Sequence, residues 1–311
     1  MKVAAVLDVA PNKDLYLNRE LGVLAFNRRV LAMAEDESVP LLERLKYLCI
    51  VSSNMDEFFE IRVSGLQEQI RQNPDFRDKD GLSALETLHR VSAVSQEIVE
   101  LQYRLFNDSV LPAMREQGIA LMTLATWNEE QAHWARQYFR NEVLPVLTPI
   151  GLDPAHPFPR VLNKSLNFAV ELTGHDAFGR ASNVAIVQAP RALPRLIRMP
   201  SNLSGYEHGF VMLTSILQAF IPELFPGMEV HGVYQFRVTR NSDLYVDEEE
   251  ITNLRVALQG ELSQRHFGDA VRLEVSDQTT PDMTARLLKE FGLPEQALYR
   301  VNGPVNLVRL M

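Results

Sequence analysis

The spacing of apolar residues changes once along this chain, and that change limits the fold more than any other feature. From about Asn18 to Gln117, apolar residues recur every three or four positions, and almost no stretch alternates with the period of two typical of strands. Five prolines then fall between residues 145 and 159, where neither a helix nor an inner strand could continue. The sequence therefore predicts a helical part followed by a part of different architecture.

The helical part is predicted to be a small bundle. Its helices are interrupted at Asn73-Pro74, and a loop through Gly81 leads into a further long helix. Asn128, with Gln131 three residues later, forms a capping-box pattern, which predicts a helix from Glu129 to about Val143.

The second part mixes strands and helices. The predicted strands are Leu166–Leu172, Val184–Gln188, Val230–Thr239 and Ala270–Val275, and the predicted helices are Phe210–Leu224, Glu248–Gln264 and Asp282–Phe291, with a turn at residues 241–243. We therefore predict an α+β fold: an N-terminal all-helical bundle over residues 1–117, followed by a mixed α/β domain over residues 118–311.

Composition narrows the class of protein. The 311 residues are 46% hydrophobic and 23% charged, which is typical of a globular chain rather than a disordered one. The net charge of −9 argues against general binding of nucleic acid or anionic membranes, although it does not exclude a local basic patch.

Cys49, the single cysteine, cannot form an internal disulfide, and no Cys/His cluster suits a structural metal. With no secretion signal and no membrane-spanning apolar run, we expect a soluble, cytoplasmic protein.

Common signatures of phosphate handling and hydrolysis do not occur. The chain has no GxxxxGK[ST], GxGxxG, GxSxG or HExxH pattern. The seven histidines each lack a second histidine at metal-ligand spacing: His89, His133, His156, His175, His208, His231 and His266. We expect these side chains to be structural or exposed. His156, within a proline-rich turn, is the least ordinary of them.

Two groups of arginines are candidates for functional side chains. Arg28-Arg29 could bind phosphate through bidentate hydrogen bonds, but a solvated helix face is the simpler interpretation. Arg237 and Arg240 end a predicted strand close to an acidic run at residues 247–250. We expect exposed ion pairs there, of the kind that contribute little energy.

Asn54 is the strongest candidate for a binding residue. It lies in the string SSNMDEFF between two predicted amphipathic helices, and Glu57 follows three residues later, so that one interpretation is a helix N-cap. An asparagine amide also carries N–H donors, which could bind a ligand such as a purine ring nitrogen. The two interpretations are compatible.

Long strings of this chain resemble bacterial polyphosphate kinase of the first, histidine-using family. The resemblance begins at LYLNRELG, includes SSNMDEFFEIRVSGL and LTPIGLDPAHPFPRVLNKSLNFAVEL, and continues through FPGMEVHGVYQFRVTRNSDLYVDEEE, RHFGDAVRLEVSD and LYRVNGPVNL. It covers nearly everything from about Leu15 to Leu310. Such long matches are highly specific.

The resemblance implies an enzyme that uses ATP and Mg²⁺ to extend polyphosphate reversibly through a phosphohistidine. It implies a helical N-terminal domain and a head domain with dimer contacts, followed by two catalytic domains that carry the Mg²⁺ site. It also assigns Asn54 to the ATP adenine. Homodimers or higher oligomers of the intact enzyme, with no nucleic-acid partner, are expected, and peripheral membrane association stays open.

The resemblance also suggests how much of such an enzyme is present. No histidine here is followed two residues later by lysine, the context of the family's nucleophile, and the family pattern would continue beyond Met311 into the catalytic domains. We therefore expect an N-terminal portion that is inactive alone and, given the charge of −9, binds polyphosphate weakly and with strong salt dependence. The alternatives are a stand-alone, non-catalytic binding or scaffold protein and, with least support, an unrelated α+β protein.

Overall fold

The computed structural model describes residues 16–152, 158–175, 183–241, 268–305 and 307–311 of the chain. The first hundred described residues are mostly helical, as the apolar spacing predicts. The described α-helices are α1 (Arg19–Glu35), α2 (Leu41–Glu57), α3 (Ser64–Gln72), α4 (Ala84–Leu105), α5 (Leu111–Glu116), α6 (Glu129–Tyr138), α7 (Ser201–Ser204), α8 (Leu213–Phe220) and α9 (Pro281–Phe291). Wider π-helical turns connect α2 to α3 (Phe58–Val63) and α4 to α5 (Phe106–Val110), and another extends α6 to Val143.

Reciprocal capping boxes close the amino ends of two of the described α-helices. Ser83 Oγ accepts a hydrogen bond from the Glu86 N–H (3.2 Å), and the Glu86 carboxylate accepts one from the Ser83 N–H (2.8 Å). Asn128 and Gln131 form the same reciprocal pair at 2.9 and 3.0 Å, which confirms the predicted capping box. These bonds satisfy backbone donors that have no partner within the helix.

The predicted break in the helix at Asn54 does not occur. Asn54 lies in the last turn of α2, which continues through the π-helical turn into α3. Its side chain bonds to Asn27 on α1 (2.9 Å) and caps no helix, so the N-cap interpretation is wrong. The helix continues because of tertiary packing. Asp56 and Phe59 are buried directly after Asn54, and their packing outweighs the weak helix propensity of Ser-Ser-Asn.

Two sheets follow the bundle. The described strands are β1 (Ile119–Met122), β2 (Pro149–Gly151), β3 (Leu166–Gly174), β4 (Val184–Gln188), β5 (Leu196–Arg198), β6 (His208–Met212), β7 (Met228–Arg240), β8 (Ala270–Ser276) and β9 (Leu298–Val301). The larger sheet has the order β2-β4-β3-β7-β8-β9 and is antiparallel except for the parallel pair β8–β9. All four predicted strands lie in it. Pro149 lies in its edge strand, where a missing N–H is tolerated.

The smaller sheet, β1-β6-β5, is not predicted by the sequence. The predicted helix Phe210–Leu224 is wrong at its start, because Phe210 to Met212 belong to β6, which pairs in parallel with β1. A short apolar run is compatible with either structure, and its strand partner lies about 90 residues earlier in the chain. The predicted helix Glu248–Gln264, His156 and most of the turn at 241–243 lie outside the described residues.

The bundle and the larger sheet share one core. A single cluster of buried apolar side chains extends from Leu24 in α1 through Phe59 and Phe106 to Phe168 and Tyr299 in the sheet. Phe59 meets Tyr299 edge to face, with ring centroids 5.4 Å apart. Because this core is shared, it does not mark a division of the chain, and the predicted domain boundary at residue 117 stays a prediction. None of the described helices is long and apolar enough to cross a membrane.

Candidate functional site

Asn54 opens onto a groove between α1 and the carboxyl end of α2. The groove encloses about 280 Å³ and is lined by side chains from α1, α2 and the π-helical turn that follows α2. Phe26 and Ile61 are among them, with 50% and 39% of their surface exposed. The groove therefore combines one amide group with an exposed apolar surface.

A hydrogen-bonded pair of asparagines sets the orientation of the Asn54 amide. Asn27 is buried, and its Nδ2 donates to the Val23 carbonyl at 3.1 Å, so its Oδ1 is left to accept. Asn54 Nδ2 donates to that oxygen at 2.9 Å. The Asn54 Oδ1 and its second N–H make no hydrogen bond with the described residues. The Asn54 amide thus presents one acceptor, its Oδ1, beside one donor, its second N–H.

Sequence reasoning missed Asn27, although a signal for it exists. The buried residues of α1 are Leu24, Asn27, Leu31 and Ala34. This spacing of three and four places Asn27 on the apolar stripe of the helix, where a polar side chain needs a partner. The partner cannot be read from the sequence, since Asn54 is 27 residues away on another helix.

The neighbouring Arg28-Arg29 pair behaves as an exposed helix face, as predicted. Arg28 forms an ion pair with Glu97 on α4, and about half of the Arg28 side chain remains exposed. The Arg29 guanidinium lies 5.8 Å from the centre of the Phe26 ring. Neither arginine lines the groove.

A buried network of charges lies on the opposite side of α2 from Asn54. Asp56, two residues further along the helix, accepts two hydrogen bonds from Arg237 (2.7 and 2.8 Å) and one from Arg272 (2.5 Å). Glu274 Oε2 lies 2.5 Å from Arg237 and 3.0 Å from Arg272, but it is poorly aligned for hydrogen bonding. The network joins α2 to β7 and β8.

The expectation of an exposed ion pair at the end of β7 is wrong for Arg237. Only 1% of Arg237 is exposed, because its position on the strand faces α2. Arg240, at the end of the strand, is half-buried and donates to the backbone carbonyls of Val161 and Gly268. Neither partner carries a charge, so no ion pair explains the Arg240 contacts seen here.

The charged groups stabilise one another's ionised forms. Burial opposes ionisation of Asp56, but Arg237 and Arg272 outweigh it and hold the pKa of the Asp56 carboxyl below its usual value. Burial likewise opposes the charge of Arg237, whereas Asp56 and Glu274 raise its pKa. Both side chains are therefore charged at neutral pH.

The histidines that can be located form ordinary contacts. His231 hydrogen-bonds to Thr173 and His133 to Gln137, both at the surface. No group of three His, Cys, Asp or Glu side chains within the described ranges is placed to hold a metal ion.

Comparison with known proteins matches most of the chain to a single family. A family model described as the polyphosphate kinase N-terminal domain matches residues 16–122, and one described as the polyphosphate kinase middle domain matches residues 130–311. These two matches cover both the helical bundle and the two sheets.

Individual relatives agree with this result. Polyphosphate kinases of Burkholderia lata and Paraburkholderia phytofirmans are each 62% identical to this chain over 295 residues. The matched region is 95% of this chain and 43% of each relative. A crystal structure of polyphosphate kinase from Porphyromonas gingivalis matches with a TM-score of 0.75 and 25% identity, covering 94% of this chain and 40% of that one. The chain thus spans less than half the length of these relatives.

Proposed function

Because the chain belongs to the polyphosphate kinase family and spans its N-terminal and middle domains, we propose that it is the nucleotide-contacting part of a longer enzyme. That enzyme reversibly transfers the terminal phosphate of ATP to polyphosphate. The helical bundle contributes the contact to the adenine base through Asn54. The observation that carries this assignment is the fixed orientation of the Asn54 amide.

The free edge of Asn54 complements adenine. The amide presents an oxygen that accepts and an N–H that donates, while adenine presents an amino donor beside a ring nitrogen acceptor. Guanine presents two acceptors, O6 and N7, along the corresponding edge, so one of them would face the Asn54 oxygen. Turning the amide over would still set its oxygen against one of these acceptors, and the Asn27–Asn54 bond holds it in the single orientation described above. The groove should therefore prefer ATP to GTP.

Phe26 supplies a surface on which the base can stack. Half of Phe26 is exposed at the groove that contains Asn54, although large apolar side chains are usually covered. Stacking of a base on an aromatic ring contributes about 1–3 kcal/mol without distinguishing among bases. In this assignment Phe26 increases the affinity for any base, and Asn54 determines which base is preferred.

Calorimetric titration of the chain with ATP and GTP tests the proposal. A well-formed pair of base-edge hydrogen bonds is worth about 1–3 kcal/mol, so Asn54→Ala should weaken ATP binding by about 5- to 150-fold and GTP binding far less. Asn107→Ala is the matched control. Asn107 also lies in a helical segment and hydrogen-bonds to a distant backbone carbonyl, that of Asn302.

Several outcomes would contradict the assignment. Equal binding of ATP and GTP by the native chain would reject the role of the amide edge. Equal ATP affinity in Asn54→Ala and in the native chain would reject Asn54 itself. If the native chain binds no ATP while it is folded, the groove does not bind the base without the rest of the longer protein.

The phosphoryl-transfer step is proposed to lie outside the residues described above. The resemblance implies Mg²⁺ and a phosphohistidine, but no cluster of metal-ligating side chains occurs in the described ranges. We therefore assign no Mg²⁺ ligand to this chain and derive no catalytic step from it. The expectation that the chain is inactive alone can be checked by following ATP consumption in the presence of polyphosphate.

Subunit contacts of the intact enzyme are proposed to involve the second part of the chain, residues 118–311. Val146 and Ile150 are about half exposed, and Ile150 lies in the edge strand β2. An open strand edge with exposed apolar side chains favours pairing with another chain. Sedimentation of the native chain and of Ile150→Lys tests this, because loss of a dimer in the variant alone is expected. A cytoplasmic location, with or without peripheral membrane contact, remains part of the same proposal.

A further inference from the structure

The groove that contains Asn54 has a defined direction. Its lining residues on α2 and the following turn all lie at or after Asn54, and its lining residues on α1 all lie at or before Asn27. Because α1 and α2 are joined by a short loop and run antiparallel, the bonded pair of Asn27 and Asn54 marks one end of the groove. A nucleotide whose base lies at Asn54 must therefore extend towards the carboxyl end of α2.

Glu57 is the next polar side chain in that direction. It lies three residues after Asn54 on the same face of α2, and residues with this spacing have Cβ atoms about 5–6 Å apart. Glu57 is exposed, and its side chain forms no hydrogen bond or ion pair with any residue that the structure describes. This includes Arg62, which also lines the groove. Glu57 thus offers two acceptor oxygens beside the Asn54 amide.

The chemistry of a nucleotide limits what this carboxylate can bind. A carboxylate accepts hydrogen bonds but donates none. An adenine nucleotide donates through the amino group of its base and through its ribose hydroxyls, whereas its phosphate oxygens only accept. The proposed function gives the amino group to the Asn54 oxygen, so the ribose hydroxyls are the donors that remain. An acidic side chain also binds the ribose 2′-hydroxyl in dinucleotide-binding folds.

We propose that Glu57 binds the ribose hydroxyls and selects ribonucleotides over deoxyribonucleotides. The inference rests on the proposed function, which places the adenine base at Asn54. Asn54 then determines the base, Phe26 stacks on it, and Glu57 determines the sugar. Arg62, in the π-helical turn beyond Glu57, supplies a positive charge that offsets repulsion between the Glu57 carboxylate and the phosphates.

Titration of the 311-residue chain with nucleosides, followed by ligand-observed NMR, tests the inference. Adenosine, 2′-deoxyadenosine and 3′-deoxyadenosine carry no phosphate, so removal of the Glu57 charge does not change repulsion of the ligand. Each deoxynucleoside should bind the native chain about tenfold more weakly than adenosine, since it lacks one hydrogen bond to a charged acceptor. Glu57→Ala should weaken adenosine binding and make the three affinities nearly equal.

Two further variants show whether the effect comes from hydrogen bonding by Glu57. Glu57→Gln keeps one acceptor oxygen, so it should retain part of the preference for adenosine, and it provides the test if Glu57→Ala does not fold. Glu43→Gln is the matched control. Glu43 lies in the first turn of α2, about half of its side chain is exposed, and it does not line the groove. Melting temperatures identify any variant that fails to fold.

Preferences for base and sugar are measured separately on the same proteins. Asn54→Ala should reduce the preference for adenosine over guanosine and keep the preference for ribose, and Glu57→Ala should do the reverse. Loss of the base preference alone would reject the role of Asn54 without rejecting that of Glu57. Equal binding of the three adenine nucleosides by the native chain, an unchanged ribose preference in Glu57→Ala, or an equal change in Glu43→Gln would each overturn the role of Glu57. Absence of adenosine binding would overturn it as well.

Discussion

Replacing Asp56 by asparagine tests how the helical bundle is held on the larger sheet. Asp56 supplies one of the two negative charges that face Arg237 and Arg272, and Glu274 supplies the other. Asparagine keeps the shape of the side chain but removes the charge. The variant therefore leaves two buried guanidinium groups opposite a single carboxylate.

The expected loss is large because the charges are buried. Arg237 and Arg272 are 1% and 2% exposed, and Asp56 accepts three hydrogen bonds from them. Removing one partner of a buried ion pair costs about 3–5 kcal/mol, mainly because the remaining charge cannot be solvated. We expect Asp56→Asn to lower the free energy of unfolding by about that amount.

Urea denaturation followed by circular dichroism measures this effect, with Asp269→Asn as the matched control. Asp269 pairs with Arg71 at 2.8 Å, but the two side chains are 70% and 53% exposed. Exposed pairs contribute about 0–1 kcal/mol, so the control should differ little from the native chain. Equal effects of the two substitutions would refute the idea that burial of the network determines its contribution.

A double variant separates charge imbalance from lost contacts. Arg272→Met alone should destabilise the chain, since it leaves two carboxylates facing Arg237. Combined with Asp56→Asn, it restores one positive and one negative charge, so part of the stability should return. Strict additivity of the two losses would contradict the assignment of the effect to unpaired charge.

The effect of Asp56 should depend on pH in a defined direction. Its pKa is lower in the folded chain than in the unfolded chain, so its contribution is complete above the unfolded value of about 3.9. The contribution is lost as pH falls through the folded pKa. The difference between the native chain and Asp56→Asn should therefore be full at pH 7 and shrink below about pH 4.

Two further predictions concern the bundle. Ser83→Ala should lower the free energy of unfolding by about 1 kcal/mol through loss of the α4 cap. The Ser83 backbone N–H, and then its side chain, lower the pKa of Glu86 to about 2, so the difference between the native chain and Glu86→Ala in urea denaturation should shrink as pH falls from about 4 towards 2. Burial raises the pKa of the Cys49 thiol to about 12, so Cys49 should not react with a disulfide reagent at pH 8 until the chain opens. Rapid reaction in the folded chain, compared with a small thiol, would contradict the burial of Cys49.

Much of the helix and strand pattern could be predicted because it depends on local spacing. The capping residues of α6, four of the six strands of the larger sheet and the helix near Pro281 follow from neighbours within a few positions. β6 could not be predicted reliably. Its apolar run becomes a strand because β1, about 90 residues earlier, lies beside it.

The sequence by itself determined the family, the helical first part and the mixed second part, and it predicted Asn54 as a candidate binding residue. Tertiary structure decided what Asn54 contacts and where Arg237 lies. Asn27 and Asn54 meet only when α1 packs on α2, and Asp56 and Arg237 meet only when the bundle packs on the sheet. The physical reason is that helix and strand periods act over a few residues, whereas hydrogen-bond partners and electrostatic fields depend on distances set by packing.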